Sequence, residues 1–269
     1  MAKVKASGKS EDRKRGRLSS VATATRVLKA FTEDEDEIGI SELARRLGIA
    51  KSTVHRLAAT LMSEGMLEQD RASGKYKLGI ALFRLGALVR RRMTVSNEAR
   101  PYLYELREKT NESVHLAVPD GTEIMYVYNL ESTHAIRMRS DIGVRKPAYC
   151  TAEGQAMLAF QPQAATDAVI AAGLPARTPK TITAPERFIK TLVLVRQRGC
   201  AIEDEESELG MVCVAAPIRD DSGQVVAAVG IAGPVTRLSK KWVGAVVPHV
   251  IATAELISAR LGYRGKGAG

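Results

Sequence analysis

The chain has 269 residues, 40 of them Lys or Arg and 30 Asp or Glu, giving a formal net charge of +10, so an anionic partner such as nucleic acid is among the first readings. Its 45% hydrophobic content suffices for one large core or two smaller ones. The longest apolar runs, such as 212–218, are strand-sized, which argues against a membrane span, and no apolar stretch follows the basic N-terminus, which argues against secretion. Cys150, Cys200 and Cys213 show neither CxxC spacing nor an even-numbered framework, so a reduced, cytoplasmic protein without a structural zinc is expected.

The charge is uneven. Residues 1–17 and 81–269 each carry half of the surplus, and 18–80 carry none. Residues 1–17 hold seven basic side chains and almost nothing apolar, the composition of a disordered basic tail. After Leu18-Ser19-Ser20, Val21, Val27, Leu28 and Phe31 predict a first helix. The acidic run 33–37 is expected in a loop. Ser41 is the expected cap of a helix over 42–47, with Leu43, Ala44 and Leu47 on one face. Gly48 ends it in a tight turn. A third helix over 51–63 has Val54, Leu57, Ala58 and Leu61 as its buried stripe and Ser52, Thr53, His55, Arg56 and Thr60 outward. Two short helices joined by a glycine turn make a helix-turn-helix, the second being the recognition helix. Short hydroxyls at its start suit phosphates, and Arg56 can reach a base edge or a phosphate. Short strands near 66–68 and 76–78 around a basic tip make a wing. The candidate DNA-contacting set is Ser41, Lys51, Ser52, Thr53, His55 and Arg56, with Arg71 and Lys75 from the wing. A small helical unit that binds protein is the competing reading.

Residues 41–57 (SELARRLGIAKSTVHRL) and Glu64-Gly65-Met66-Leu67 resemble the IclR-type transcriptional regulators. The resemblance implies a winged helix-turn-helix, a linker helix and a C-terminal effector-binding domain.

In the linker, 81–95, Ala81, Leu82, Leu85, Leu88 and Val89 form an apolar stripe that ends in Arg90-Arg91-Arg92. Such a stripe packs on a partner helix or on its own domain; the first use makes a homodimer that meets the two half-sites of a palindromic double-stranded operator. A further helix over 96–109 carries Pro101 near its start.

Strands are expected over 113–118 and 123–130 around Pro119-Asp120-Gly121, with a third over 135–139. Thr151 is the expected cap of a helix reaching about 160. Helices follow over 164–172 and 185–198, strands near 201–203, 212–218 and 225–232, and a long helix over 239–261 that Pro248 kinks or breaks. The whole is α+β: a winged helix-turn-helix over 18–80, a linker helix, a mixed α/β effector domain over 96–262 and a flexible tail over 263–269.

Residues 143–154, 203–217 and 227–234 also resemble the family. The resemblance implies a GAF-like effector domain, dimeric or tetrameric assembly, and transcriptional control by a small organic acid or related metabolite; RNA polymerase is a candidate partner, and no cofactor is expected. It places effector contacts at Ala152 and Glu153, Glu203, Cys213, Gly230 and Ala232. Glu203 stands where the family often has Asp. Gly230 and Ala232 stand where some members have serine, so hydroxyls are lost and space is gained, pointing to a bulkier, less polar effector, an aromatic acid or a related metabolite. Met125, Met138 and Tyr149 are further candidates for the lining, with core packing as the alternative. His55, His115, His134 and His249 show no metal-ligand spacing, and no GxSxG or P-loop is present, so no catalytic or metal site is expected. The rival reading is a redox enzyme using Cys150 or Cys213, Cys150 lying beside a helix start that lowers a thiol pKa. A protein-interaction scaffold is the third reading.

Overall fold

The computed structural model describes residues 20–32, 35–92, 94–138 and 141–265. The expected basic tail, part of the acidic run, Arg139 and the end of the C-terminal tail lie outside the described residues, as do the side chains of Val89 and Arg90 to Arg92. The chain divides into two units after Arg92.

The first unit contains α1 (Ser20–Leu28), α2 (Ile40–Leu47), α3 (Lys51–Ser63), the hairpin β1 (Leu67–Gln69) and β2 (Tyr76–Leu78), and α4 (Ile80–Arg92). Its core joins Val27, Ile38 and Leu43 to the α3 stripe Val54, Leu57, Ala58 and Leu61 and to Leu67 and Tyr76 of the hairpin. Gly48 closes α2 at φ 65°, the left-handed conformation that glycine adopts without a Cβ clash. The start of α2 departs from expectation. Gly39, not Ser41, is the N-cap, and Ser41 lies inside the first turn. The cause is tertiary: Ile38 exchanges both backbone hydrogen bonds with Tyr76, so the chain stays extended to Gly39 and turns helical at once. Asp70 shapes the wing by accepting from the N–H groups of Ala72 and Ser73. On α4, Ile80, Phe83, Leu85 and Leu88 are exposed.

The second unit contains α5 (Thr94–Thr110), β3 (Ser113–Asp120), β4 (Glu123–Leu130), β5 (Arg145–Pro147), a 3-10 turn (Ala148–Cys150), α6 (Ala152–Leu158), α7 (Gln163–Ala172), α8 (Pro185–Arg198), β6 (Ala201–Asp204), β7 (Met211–Arg219), β8 (Val225–Pro234) and α9 (Lys240–Arg260). One six-stranded sheet runs in the order β5-β4-β3-β8-β7-β6, every neighbouring pair antiparallel. Strand alternation sends Leu116, Val214, Val229 and Ile231 to the side of α5 and α9 and Ala117, Cys213, Ala215 and Ala232 to the side of α6, α7 and α8. The result is three layers with an apolar core on each face.

The expected strand at 135–139 is absent from the described part of that segment. The edge strand is β5 instead. Side chains take the carbonyls a ladder would need: Ser113 Oγ donates to Met138 O and Arg237 Nη1 to Ile136 O. Pro101 lies in the interior of α5, which begins before the expected start, and α9 runs on through Pro248. By length and composition α9 could cross a membrane, but its Val243, Val246, Val250, Ala254 and Ile257 are buried in the core on the sheet. Thr151 occupies the N-cap of α6, yet its Oγ1 donates to Pro147 O and caps nothing. Gly154 brings α6 against the 3-10 turn at backbone distance: a Cβ there would stand 2.2 Å from Ala148 O.

Candidate functional site

Two places collect chemistry-bearing side chains. The first is the surface of the winged unit. Lys51, Ser52, His55 and Arg56 on α3 are exposed, Thr53 is half-buried, and Ser41, Arg71 and Lys75 are exposed. The N-cap of α3 is Ala50, which offers no side-chain acceptor, so no side chain caps the N–H groups that open this 13-residue helix; Thr53 N donates to Ala50 O instead. The cations of α2 are already paired. Glu42 accepts from Arg45 Nη2 at 2.6 Å and from Arg46 Nε at 2.6 Å, and Arg46 also meets Glu35. These two guanidinium groups hold the Glu42 carboxyl down at about 2. Among the described residues, Lys51, Arg56, Arg71 and Lys75 have no ion pair. The cations without an ion pair thus include those of the recognition helix and the wing tip.

The second place is inside the second unit, on the α6 face of the sheet. Cross-strand register sets His115 (β3) opposite Gly230 (β8) and Gly230 opposite Ala215 (β7). Two residues along, Ala232 pairs with Cys213, and Cys213 with Glu203 (β6). Helix α6 lies over this row and buries Glu153. Glu153 Oε1 comes within 3.7 Å of His115 Nδ1, and the His115 ring sits 5.1 Å from that of Tyr126. Glu203 Oε1 accepts from Glu206 N at 2.6 Å and Ser207 N at 3.0 Å. Gln155 Nε2 donates to Tyr149 O and to Glu206 Oε2.

Several polar atoms here are buried without a hydrogen-bond partner: Glu153 Oε1, both ring nitrogens of His115, Glu203 Oε2 and Gln155 Oε1. Such groups are uncommon in folded interiors and call for an occupant or a function. Among the described residues no Lys or Arg is buried with them. Burial pushes the Glu203 carboxyl up to about 7, against the pull of the Ser207 N–H, and burial likewise pushes Glu206 to about 7. Burial raises Tyr126 well above its ordinary value, with the Glu153 charge adding to it.

Ala152, Glu153, Glu203, Cys213, Gly230 and Ala232 thus converge on one region. Met138 packs half-buried against the same core. Tyr149 is buried there too, its hydroxyl donating to Pro175 O. Met125 does not join them: it pairs with Val118, which packs on the α5 and α9 side. Gly230 does not leave open space either. A Cβ there would stand 2.6 Å from Glu153 Oε1, so the room the missing side chain provides is filled by that carboxyl. Sequence reasoning missed His115, Tyr126 and Gln155. A signal existed for His115, which alternates with Val114 and Leu116 and so must face away from that aliphatic side.

The thiols are not nucleophiles. Burial pushes Cys150 up to about 11 and raises Cys213 well above its ordinary value, with Glu203 and Glu153 adding to the latter. A buried, protonated thiol lacks the thiolate that redox or acyl chemistry requires.

A winged helix-turn-helix carrying unpaired cations, joined to an α/β unit that encloses polar groups, is the build of a DNA-binding transcriptional regulator rather than an enzyme. Residues 20–71 match the IclR helix-turn-helix domain, and residues 87–259 match the bacterial transcriptional regulator IclR C-terminal domain. The chain belongs to the IclR family. It is 35% identical over 253 residues to the HTH-type transcriptional regulator KdgR of Escherichia coli, covering 94% of this chain and 96% of that one. It superimposes with a TM-score of 0.81 and 27% identity on the IclR transcriptional regulator of Alicyclobacillus acidocaldarius, over 90% of this chain and 98% of that one. It also resembles an IclR homologue of Microbacterium hydrocarbonoxydans complexed with 4-hydroxybenzoate, with a TM-score of 0.79 and 26% identity over 90% of this chain and 99% of that one.

Proposed function

We propose that the chain is a cytoplasmic, effector-responsive regulator of a catabolic operon. It binds a palindromic double-stranded operator as a homodimer or tetramer and acts on RNA polymerase access. Lys51, Ser52, Thr53, His55 and Arg56 enter the major groove, Ser41 touches the backbone, and Arg71 and Lys75 add phosphate contacts from the wing. The exposed apolar side chains of α4 meet a second copy. The effector is a small organic acid bound in the GAF-like second unit beside Glu153, Glu203, Cys213, Gly230 and Ala232, with Met138 and Tyr149 at its margin. Bound 4-hydroxybenzoate in the Microbacterium homologue supports an acid, including an aromatic one.

The observation that carries this reading is the set of unpartnered polar atoms buried on the α6 face, in the same chain as an unpaired, cationic recognition helix. Effector binding there biases the DNA-bound arrangement; a coupling of about 1–3 kcal/mol suffices. Fluorescence anisotropy with the DNA upstream of the protein's own gene, with and without candidate acids, tests it. Affinity for that DNA should fall in Arg56→Ala and respond to an acid that also raises the melting temperature. Unchanged DNA binding in Arg56→Ala would remove the recognition-helix assignment. Acids that stabilise wild type and the Glu203→Ala and Gly230→Phe variants alike would show that they bind elsewhere.

A further inference from the structure

Glu153 is 1% exposed and His115 is 2% exposed, and the 3.7 Å between Nδ1 and Oε1 is too long for a hydrogen bond between them. Each therefore has hydrogen-bonding capacity turned toward the other and unused. Of the surrounding unpartnered oxygens, Gln155 Oε1 is an acceptor, as is a carboxylate at Glu153, while Glu203 Oε2 belongs to a carboxyl that burial pushes toward its protonated form. A neutral imidazole adds one donor and one acceptor. Among the described residues no buried Lys or Arg stands by to hold an anion. A ligand carboxylate brought to Glu153 Oε1 would set one acceptor against another. A hydroxyl meets the opposite situation: it can donate to Glu153 Oε1 while accepting from His115 N–H, and so use both groups at once. The absent side chain at Gly230 is what lets the Glu153 carboxyl reach this position, since a Cβ would displace it.

We propose that Glu153 and His115 form a hydroxyl-reading pair, so that the effector is a hydroxylated small acid held hydroxyl-first in the polar cluster, with its carboxylate away from Glu153. This rests on the effector reading above and specifies its chemistry. A pocket built around hydrogen bonds to a hydroxyl rejects the analogue that lacks it, because its own buried groups are then left unpaired.

Titration calorimetry of the full chain with matched acids tests this: 4-hydroxybenzoate against benzoate, D-gluconate against hexanoate, and lactate against propionate. In each pair that binds, the hydroxylated member should bind about tenfold tighter or more. Glu153→Leu, which removes the acceptor at similar volume, should bring that ratio close to one. His115→Phe, which keeps a ring beside Tyr126, should do the same and decides the matter if Glu153→Leu does not fold. Equal binding of the two members of a pair by wild type overturns the hydroxyl-reading pair and leaves the acid effector standing, as does a preference that survives in a folded variant. Absence of binding by all six acids up to millimolar concentration overturns both.

Discussion

In the winged unit Thr23 is the one buried polar residue among those described, and the residues assigned to DNA lie at least partly in solvent. In the second unit polar residues are buried on the α6 face, and His115, Glu153 and Glu203 are among its least exposed side chains. A duplex is read from outside, so its contact residues can vary without touching the core. A small molecule is enclosed, so the groups that read it sit in the core and carry a desolvation cost whether or not it is bound. Recognition and stability are therefore separable in the first unit and joined in the second.

Four measurements can break or sharpen that contrast. Ile231→Ala, on the aliphatic face beneath α5 and α9, should lower unfolding free energy by about 2–5 kcal/mol in chemical denaturation, setting the scale for a purely structural position. Next is Glu203→Gln. The wild-type carboxyl keeps its proton up to about 7 when folded, against an ordinary value near 4.5. Its contribution to stability is thus fully present below the unfolded value and is lost as pH rises between the two. Glutamine can still accept from Glu206 N and Ser207 N, and it does not titrate. Relative to wild type the variant should gain stability from pH 5 to pH 8, by up to about 3 kcal/mol. A constant difference across that range would mean that Glu203 is not a desolvated acid. Gly230→Phe forces a ring toward the Glu153 carboxyl and should destabilise by about 1–3 kcal/mol, with loss of effector-induced stabilisation in the same melts. Arg56→Ala should weaken DNA binding by about 1–3 kcal/mol while unfolding free energy moves by no more than about 0.5 kcal/mol. A large loss of stability there would erase the contrast.

The elements governed by local periodicity were legible in the sequence. The α3 stripe, the bounds of α8 and the β4 strand agree with their patterns, because each is decided by side chains a few residues apart. What escaped depends on distant partners. The α2 cap moved because Ile38 pairs with Tyr76. Met125 is on the far face because β4 carries an extra residue: the partner of Leu116 is Tyr128 and that of Ala117 is Tyr126, so Val127 is skipped and the alternation reverses. The site was legible at the positions the family resemblance marks, but the consequence of Gly230 was not. Only the position of α6 shows that a neighbouring carboxyl, rather than open volume, lies there.

Gly154 sets where that carboxyl is seated. Its Cα faces Ala148 Cα and O with no room for even a methyl group between them, so α6 and the 3-10 turn meet backbone to backbone, with no compressible side chains as padding. The segment that carries Glu153 is thereby seated directly on the turn that follows the edge strand β5. Gly154→Ala would pry the two apart and shift the seat of the Glu153 carboxyl.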